Sequence, residues 1–287
     1  MGIFKKKEKK EPEPQYYVSA TNEQVLNYNV YYMSKAEKIL TFVISFVIGG
    51  AVGYLFYGGI GKDANGHPTL TTHILNIAVF IIVGFLATRL FMPSYRKSKI
   101  RKRKNVLRTQ FIDLLDSLAT SISSGKNVPS AFVSAKEDLM LQYDDNDYIV
   151  KETVNIINGI ENNIPVEEML IDFGNRSGIK DITNFGYVFQ TVYRKGGNIK
   201  DTILSCHDLI RDKIEIELTI ATKTASASNE QKIMLLMPIG LVAMLKMMGS
   251  DFADNFATPT GIISTTIAVA MFILAYFVGK KLSNIEV

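Results

Sequence analysis

Four apolar stretches constrain the fold of this chain more than any other feature. They cover residues 39–57, 74–92, 233–249 and 261–279. A helix needs about 20 consecutive apolar residues to cross the core of a bilayer. The stretches approach that length, and their only charged residues are Arg89 and Lys246. A hydrophobic content of 47% fits the same conclusion. The sequence therefore predicts an integral membrane protein with four transmembrane helices.

The first apolar stretch carries a glycine pattern. Gly49 and Gly53 stand four residues apart, and Gly50 lies beside them. This spacing lets two helix backbones approach closely in lipid. Glycine is also common in transmembrane helices for other reasons. The pattern is thus typical both of a helix interface and of ordinary composition.

Positive charge is distributed unevenly around the stretches. The segment after the second stretch is strongly basic, with Arg96, Lys97, Lys99, Arg101, Lys102, Arg103, Lys104 and Arg108. The loops after the first and third stretches are poor in Lys and Arg. The positive-inside rule then predicts cytoplasmic termini and a cytoplasmic central block. We interpret the basic run as a membrane anchor on anionic lipid and not as a nucleic-acid site, because it directly follows an apolar stretch.

Within the central block one short phrase occurs three times. The copies are Ser124 to Pro129 (SGKNVP), Glu161 to Pro165 (ENNIP) and Lys195 to Ile199 (KGGNI). From Asn127 to Asn163 is 36 residues (163 − 127), and from Asn163 to Asn198 is 35 (198 − 163). Such a period indicates a repeated supersecondary unit. In each copy Gly or Asn is suited to end one helix in the left-handed conformation, before the next helix begins at Asn or Pro.

Apolar residues between these phrases recur at helical spacing. The stripes are Phe111, Leu114, Leu115, Leu118 and Ile122; Phe132, Ala135 and Leu139; Ile149, Thr153, Ile156, Ile157 and Ile160; Val166, Met169, Leu170 and Phe173; Ile182, Phe185, Phe189 and Val192; and Ile199, Ile203, Cys206, Ile210, Ile214 and Leu218. Each fits one buried helix face. The predicted fold is all-α, with residues 94–232 forming a cytoplasmic six-helix up-and-down bundle of three helical hairpins.

The remaining segments complete the predicted domain plan. Residues 1–38 are expected to form a cytoplasmic disordered tail and a tyrosine-rich arm. We interpret the arm as a helix at the membrane interface, with a docking arm for a partner as the alternative. Transmembrane helices 1–2 occupy residues 39–93 and helices 3–4 residues 233–279, and residues 280–287 form a cytoplasmic tail.

The sequence offers little for catalysis. Cys206 lies on the sixth apolar stripe, which predicts a small core residue, and adjacent residues of a helix point about 100° apart, so His207 does not form a catalytic pair with it. The acidic run 144–147 lacks the glycine and closing glutamate of a calcium loop. Three widely spread histidines do not suggest a metal site. We expect no enzyme activity, no metal and no cofactor.

Four phrases of the helical block carry a family resemblance. They begin at Gln110 (QFIDLLDSLA), Ser124 (SGKNVPSAF), Asn163 (NIPVEEML) and Lys195 (KGGNIKDTIL). In order and spacing they resemble the type II secretion system F domain, in the form found in tight-adherence TadB and TadC proteins. The likeness covers about residues 105–249, roughly half of the chain. The arrangement of two spans, a cytoplasmic helical domain and two spans is similar too.

The resemblance implies a function. Such proteins are inner-membrane platforms of a type IV or Tad pilus or of a type II secretion machine. They couple a cytoplasmic hexameric ATPase to the extraction and assembly of pilin subunits, and they act with copies of themselves or a paralogous platform protein. The chain would then be a multi-pass protein of the bacterial cytoplasmic membrane.

Two sets of residues are expected to serve this role. In an up-and-down bundle every second turn returns to the same end. The three repeated phrases should therefore share the end away from lipid, where the ATPase would contact Lys126, Asn127, Asn163, Lys195, Gly196, Gly197 and Asn198. The sixth helix runs toward the third apolar stretch through Ala221, Ala225, Ser228 and Glu230, which we expect to form a coupling helix.

Two other function classes compete with the platform. A membrane-anchored helical-repeat adaptor for protein–protein interaction would share the period near 35 residues, but the tetratricopeptide signature is absent. A transporter or membrane enzyme would place acidic residues within the spans, and the four apolar stretches contain none.

Overall fold

The computed structural model describes residues 13–19, 21–63, 67–248 and 250–283. Within that range the side chains of residues 224–228, 231–232, 250–253 and 280–283 lie outside the description. In chain order the elements are β1 Tyr16–Val18, β2 Gln24–Leu26, α1 Lys35–Tyr57, α2 Leu70–Ser123, α3 Val128–Met140, α4 Tyr148–Glu161, α5 Val166–Ser177, α6 Lys180–Lys195, α7 Ile199–Met247, α8 Ser250–Ala257 and α9 Pro259–Ser283.

The chain divides into two compact units. The first, here called the helical unit, comprises the chain up to Tyr32 together with Arg96–Ile214. The second, the apolar unit, comprises Met33–Tyr95 and Glu215–Val287. Both α2 and α7 contribute residues to each unit. The helical unit thus ends at Ile214, whereas the predicted helical domain extends to residue 232.

The helical unit has one hydrophobic core, and it is built from the predicted stripes. Phe111 of α2 lies at its centre, with ring centroids 6.0 Å from Phe173 of α5 and 5.4 Å from Phe185 of α6. All three side chains are at most 2% exposed. The six stripes supply most of this core, but Leu218 is 62% exposed and lies beyond the helical unit. The sixth stripe therefore ends earlier than the periodicity alone predicted.

The apolar unit contains three helices long and apolar enough to cross a membrane. They are α1, the N-terminal part of α2, and the segment Pro259–Gly279 of α9. The third predicted stretch forms the shorter apolar segment Ile233–Met247 at the end of α7. By length and composition the described residues therefore support three spans directly.

The glycines of α1 form a helix interface, which settles the alternative left open by the sequence. Gly49, Gly50 and Gly53 are buried. A Cβ added at Gly49 would lie 2.3 Å from the Ala87 Cβ, and one added at Gly53 would lie 2.7 Å from the Val83 Cβ. Only glycine permits this approach of α1 to α2. Nearby, Ser45 Oγ and Thr88 Oγ1 lie within hydrogen-bond distance at 3.1 Å.

The N-terminal arm differs from its prediction. The expected interfacial helix is instead an antiparallel hairpin in which β1 pairs with β2, with Tyr17 opposite Val25. The hairpin and the residues up to Tyr32 belong to the helical unit. Tyrosine and β-branched residues favour a strand wherever they can pack on a surface, and α4 and α5 provide that surface. The tail before Glu13 lies outside the described residues.

Candidate functional site

The three repeated phrases form the same backbone motif. The residues with positive φ are Gly125 at 88°, Asn163 at 61° and Gly196 at 68°. In each copy this residue donates to the carbonyl three positions back, and the next residue donates to the carbonyl five positions back. The second set of bonds is Lys126 N to Ser121 O at 3.2 Å, Ile164 N to Gly159 O at 2.9 Å and Gly197 N to Val192 O at 2.9 Å. These are Schellman helix ends, and they confirm the predicted left-handed stops.

The asparagines of the three phrases are not equivalent, although the sequence aligns them. Asn127 accepts from Ser130 N at 2.9 Å and Asn198 accepts from Asp201 N at 3.2 Å, so both cap the helix that follows. Asn163 instead adopts the left-handed position, and Pro165 precedes the helix without a side-chain cap. Asn163 therefore corresponds in structure to Gly125 and Gly196.

Every predicted partner-binding residue of these turns is exposed. The set is Lys126, Asn127, Asn163, Lys195, Gly196, Gly197 and Asn198. Lys126 Nζ donates to Ser134 Oγ at 2.5 Å, on the first turns of α3. A partner could reach all of these residues without unfolding a helix.

A cavity of about 440 Å³ adjoins the third turn. Val188 and Val192 of α6 face Cys206 of α7 across it, and Gly197 and Asn198 form its end. Burial raises the pKa of the Cys206 thiol, which keeps it protonated and unreactive at neutral pH. Cys206 packs against the core but remains half-buried. His207, predicted to point elsewhere, is itself buried, with Nδ1 3.0 Å from Asp208 Oδ1.

The predicted membrane-anchor residues separate into two sets. Five of them are exposed along α2: Arg96, Lys97, Lys99, Arg101 and Lys102. The other three are half-buried in the helical unit, where they form hydrogen bonds or ion pairs with other residues. They are Arg103, Lys104 and Arg108. Arg108 Nε forms an ion pair of 2.8 Å with Asp181 at the start of α6. These three side chains therefore contact protein groups, and the membrane-anchor role of the basic run stays a prediction.

A buried charged network fastens the N-terminal arm, and the sequence analysis missed it. Arg176 of α5 binds Glu152 of α4 through two nitrogens, at 2.9 and 2.7 Å. Tyr28 Oη donates to Glu152 Oε1 at 2.9 Å. The three side chains are at most 4% exposed. Burial and the Glu152 carboxylate raise the pKa of Tyr28 well above its ordinary value. Burial alone would lower the pKa of Arg176, but Glu152 and Asp172 raise it.

The sequence pattern could have identified one member of this network, Glu152. Glu152 lies three residues after Ile149 and four before Ile156, so it belongs to the apolar face of α4. A carboxylate on such a face requires a buried partner. Nothing comparable identifies Tyr28, because the arm is tyrosine-rich throughout.

The apolar unit has a groove of its own, with a volume of about 570 Å³. It is lined by Val52, Gly53, Phe56, Tyr57, Val83, Leu86, Leu235, Pro238, Ile239, Val269, Phe272, Ile273 and Tyr276. These residues come from α1, α2, α7 and α9. The short apolar segment of α7 thus packs among the three spanning helices.

The predicted coupling residues all fall within α7. Ala221 and Glu230 are exposed. The side chains of Ala225 and Ser228 lie outside the described residues. Helical backbone continues through all four positions.

Comparison with protein-family models, with curated proteins and with solved structures found no match to this chain. Among the described residues no group of His, Cys, Asp and Glu side chains is arranged to hold a metal ion. Any functional argument therefore rests on the residues and their geometry.

Proposed function

We propose that this chain is the membrane platform of a pilus or secretion machine of the type IV, Tad or type II kind, and that it couples a cytoplasmic hexameric ATPase to the extraction and assembly of pilin subunits. The observation that carries the proposal is the helical unit inserted in sequence between two pairs of apolar segments, with three exposed helix ends of the same backbone motif. In this proposal the chain is a non-enzymatic protein of the bacterial cytoplasmic membrane and acts as an oligomer, with itself or a paralogue.

The proposal takes Ile233–Met247 as a fourth span. Its 15 residues correspond to about 22 Å of helix, which is short for a bilayer core of about 30 Å. Bilayer thinning and snorkelling of flanking residues accommodate such a mismatch. Packing supports the assignment, because Leu235, Pro238 and Ile239 line the same groove as the other three helices.

Contacts between the loops of the apolar unit also favour four spans. Lys246 Nζ, at the end of α7, donates to Gly58 O at the end of α1, at 3.0 Å. Lys62 Nζ forms an ion pair with Asp254 Oδ1 at 2.5 Å. The ends of α1 and α7 and the start of α9 therefore lie on one side of this unit. Four helices with this connectivity return both termini to the opposite side, which is cytoplasmic by the positive-inside rule.

The turns are the part of the helical unit that we assign to the ATPase. In the proposed up-and-down bundle of three hairpins, the turns at Gly125, Asn163 and Gly196 occupy the end away from lipid. Their exposed lysines Lys126 and Lys195 offer charge complementarity to an acidic surface.

The experiment is affinity purification of the full-length chain from native membranes in mild detergent, followed by mass spectrometry. We expect a cytoplasmic secretion ATPase and small pilin-like proteins to co-purify. Replacing both Lys126→Glu and Lys195→Glu should reduce ATPase recovery about tenfold or more, since both charges would oppose an acidic partner.

Lys180→Glu with Arg211→Glu is the matched control, because it reverses two exposed cations of the same unit away from the turns. It should leave ATPase recovery unchanged. Equal losses in both variants would place the contact elsewhere. Absence of any ATPase from the unmodified preparation would reject the platform function itself.

A further inference from the structure

The N-terminal arm, residues 13–32, is held to the helical unit mainly by polar groups. Among its described residues Tyr28 is a fully buried side chain of the core, and the half-buried Leu26 packs against that core. Elsewhere Thr21 Oγ1 donates to Asn155 Oδ1 at 3.0 Å, and Arg103 Nη1 donates to Val30 O at 3.2 Å. Arg103 also lies 5.2 Å from the centre of the Tyr31 ring. An arm attached in this way contributes little hydrophobic free energy to its own docking.

The arm covers an ion pair whose two members bind each other without any contribution from the arm. Both Glu152 and Arg176 belong to helices of the helical unit, and they bind each other through two hydrogen bonds. The arm adds two hydrogen bonds to this pair. The Tyr28 hydroxyl donates to Glu152, and Arg176 Nη1 donates to the Leu26 carbonyl oxygen at 3.4 Å. Covering the pair costs desolvation of two charges, and lifting the arm restores their hydration while the pair stays intact.

A third charge, the half-buried Lys104 ammonium group, also contacts the arm. Lys104 Nζ donates to Asn29 Oδ1 at 2.6 Å and to Gly178 O at 3.1 Å, and both acceptors are neutral. Burial lowers the pKa of Lys104. Water would solvate this ammonium group better than the docked arm does. Release of the arm is therefore favoured by the hydration of three charged groups.

A cavity already lies beneath the arm. Its volume is about 670 Å³. One wall is β2 with Tyr16 and Tyr28, and the other is formed by the end of α3 and by α4. Removing the arm would turn this cavity into an open groove, with Tyr148, Val150 and Val154 along its floor.

We propose that the arm is a releasable strap, and that the groove on α3 and α4 beneath it is a docking site whose built-in occupant is the arm. The groove fits an extended segment that supplies one tyrosine hydroxyl to Glu152 and one carbonyl to Arg176. This strap does not depend on the platform function.

Gly178 allows the strap to be weakened selectively. It ends α5 with φ of 60°, and a Cβ added there would lie 1.9 Å from Asn29 Oδ1 and 2.7 Å from Lys104 Nζ. Gly196 ends α6 with φ of 68°, and a Cβ added there would meet nothing within 4 Å. Gly178→Ala and Gly196→Ala therefore share the backbone strain, but only Gly178→Ala pushes on the arm.

The experiment is hydrogen exchange, followed by mass spectrometry, on the full-length chain in detergent or nanodiscs. In the unmodified chain we expect amides of residues 13–32 to exchange together, about 100-fold faster than core amides of α5 and α6. Gly178→Ala should accelerate exchange of the arm by about tenfold relative to Gly196→Ala. Arm amides that exchange at the rate of the core amides would overturn the proposal, as would equal effects of the two variants.

Thiol labelling tests whether the groove opens. In a Cys206→Ala background, which removes the chain's single cysteine, Val154→Cys places a thiol on the groove floor. Its labelling rate should rise with Gly178→Ala and stay constant with Gly196→Ala. Arm exchange that accelerates without faster labelling would show that the arm loosens without exposing the groove, and would reject the docking site.

Discussion

The two units of this chain bury opposite kinds of residue. The helical unit buries large aromatic side chains such as Phe111 and Phe173, both 0% exposed. The apolar unit turns its large side chains outward, with Phe85 at 58% and Leu90 at 76% exposure, and buries glycine, serine and threonine between its helices. The same chain therefore follows the hydrophobic effect in one unit and close backbone packing in the other, as expected for water and for lipid.

Because the two units bury different residues, exposure of a side chain has a different meaning in each. In the helical unit, the three repeated turns are exposed while the aromatic side chains of the core are buried. In the apolar unit, exposed apolar surface is what the lipid-facing side of a membrane helix requires, so exposure alone marks no site there. Substitutions in each unit test this difference.

The largest expected effect is loss of a core aromatic. Phe111→Ala removes a ring that contacts Phe173 and Phe185 in the helical unit and should lower the free energy of unfolding by about 3–5 kcal/mol. Phe85→Ala removes the same ring from an exposed position of α2 and should change it by less than about 1 kcal/mol. Denaturation in detergent monitored by circular dichroism gives both values. Comparable losses would mean that the Phe85 ring is packed against protein.

The second effect comes from the buried ion pair. Arg176→Ala leaves Glu152 charged, buried and without its main partner, and should cost about 3–5 kcal/mol. The double variant Glu152→Gln with Arg176→Met removes both charges and should recover most of that loss. Chemical unfolding of the single and double variants measures the difference. If the double variant were as unstable as the single one, the loss would come from the missing contacts between Arg176 and the arm, and not from an unpaired Glu152 charge.

Much of the helical unit could be predicted from sequence, because its stripes report one buried face per helix. Phe111, Phe132, Ile149, Met169, Phe185 and Ile203 were placed in the core by spacing alone, and all are buried. The left-handed stops could also be predicted, since few residues other than Gly and Asn adopt that conformation readily. The role of Asn163 was not predictable by alignment, because the same residue type serves both as a cap and as a left-handed stop.

The arm could not be predicted, for a physical reason. Its strands have three residues each, too few for periodicity to distinguish a strand from a helix. Its partners lie more than a hundred residues away along the chain, as Tyr28 and Glu152 do. For the same reason the contacts of Arg103 and Lys104 with the arm could not be predicted, since charge patterning shows where cations concentrate and not what folds over them.

The third prediction concerns the glycine interface of the apolar unit. Gly49→Ala places a methyl group 2.3 Å from the Ala87 Cβ and 3.3 Å from the Val83 carbonyl oxygen, so α1 and α2 must separate. The cost should be about 1–3 kcal/mol. Ala51→Leu adds a larger side chain at an exposed position of the same helix and should cost less than about 0.5 kcal/mol. Thermal unfolding in detergent compares them, and equal destabilisation would contradict the interface.

The fourth prediction uses pH to act on the helical unit alone. The folded-state pKa of Tyr28 is raised above its ordinary value of 10.0, mainly by burial and then by Glu152. Its stabilising contribution is therefore complete below about pH 10 and is lost as pH rises through the folded pKa. Tyr28→Phe should flatten this alkaline loss of stability. Burial and Asp113 likewise raise the pKa of Tyr143 to about 12, so Tyr143→Phe should also flatten the alkaline loss, and the double variant should flatten it further. Unfolding curves at several alkaline pH values would show it.

The smallest expected effect is at the loop ion pair of the apolar unit. Lys62 and Asp254 have side chains 26% and 35% exposed, in contrast to 4% for each partner of the Glu152–Arg176 pair. Water screens the loop pair, so Asp254→Asn should cost about 0–1 kcal/mol, where loss of Arg176 costs several times more. Raising the salt concentration should reduce the small loop effect further and leave the buried pair almost unchanged. If Asp254→Asn destabilised the chain as strongly as Arg176→Ala, the loop pair would have to be shielded from water. Burial would then not distinguish the Lys62–Asp254 pair from the Glu152–Arg176 pair.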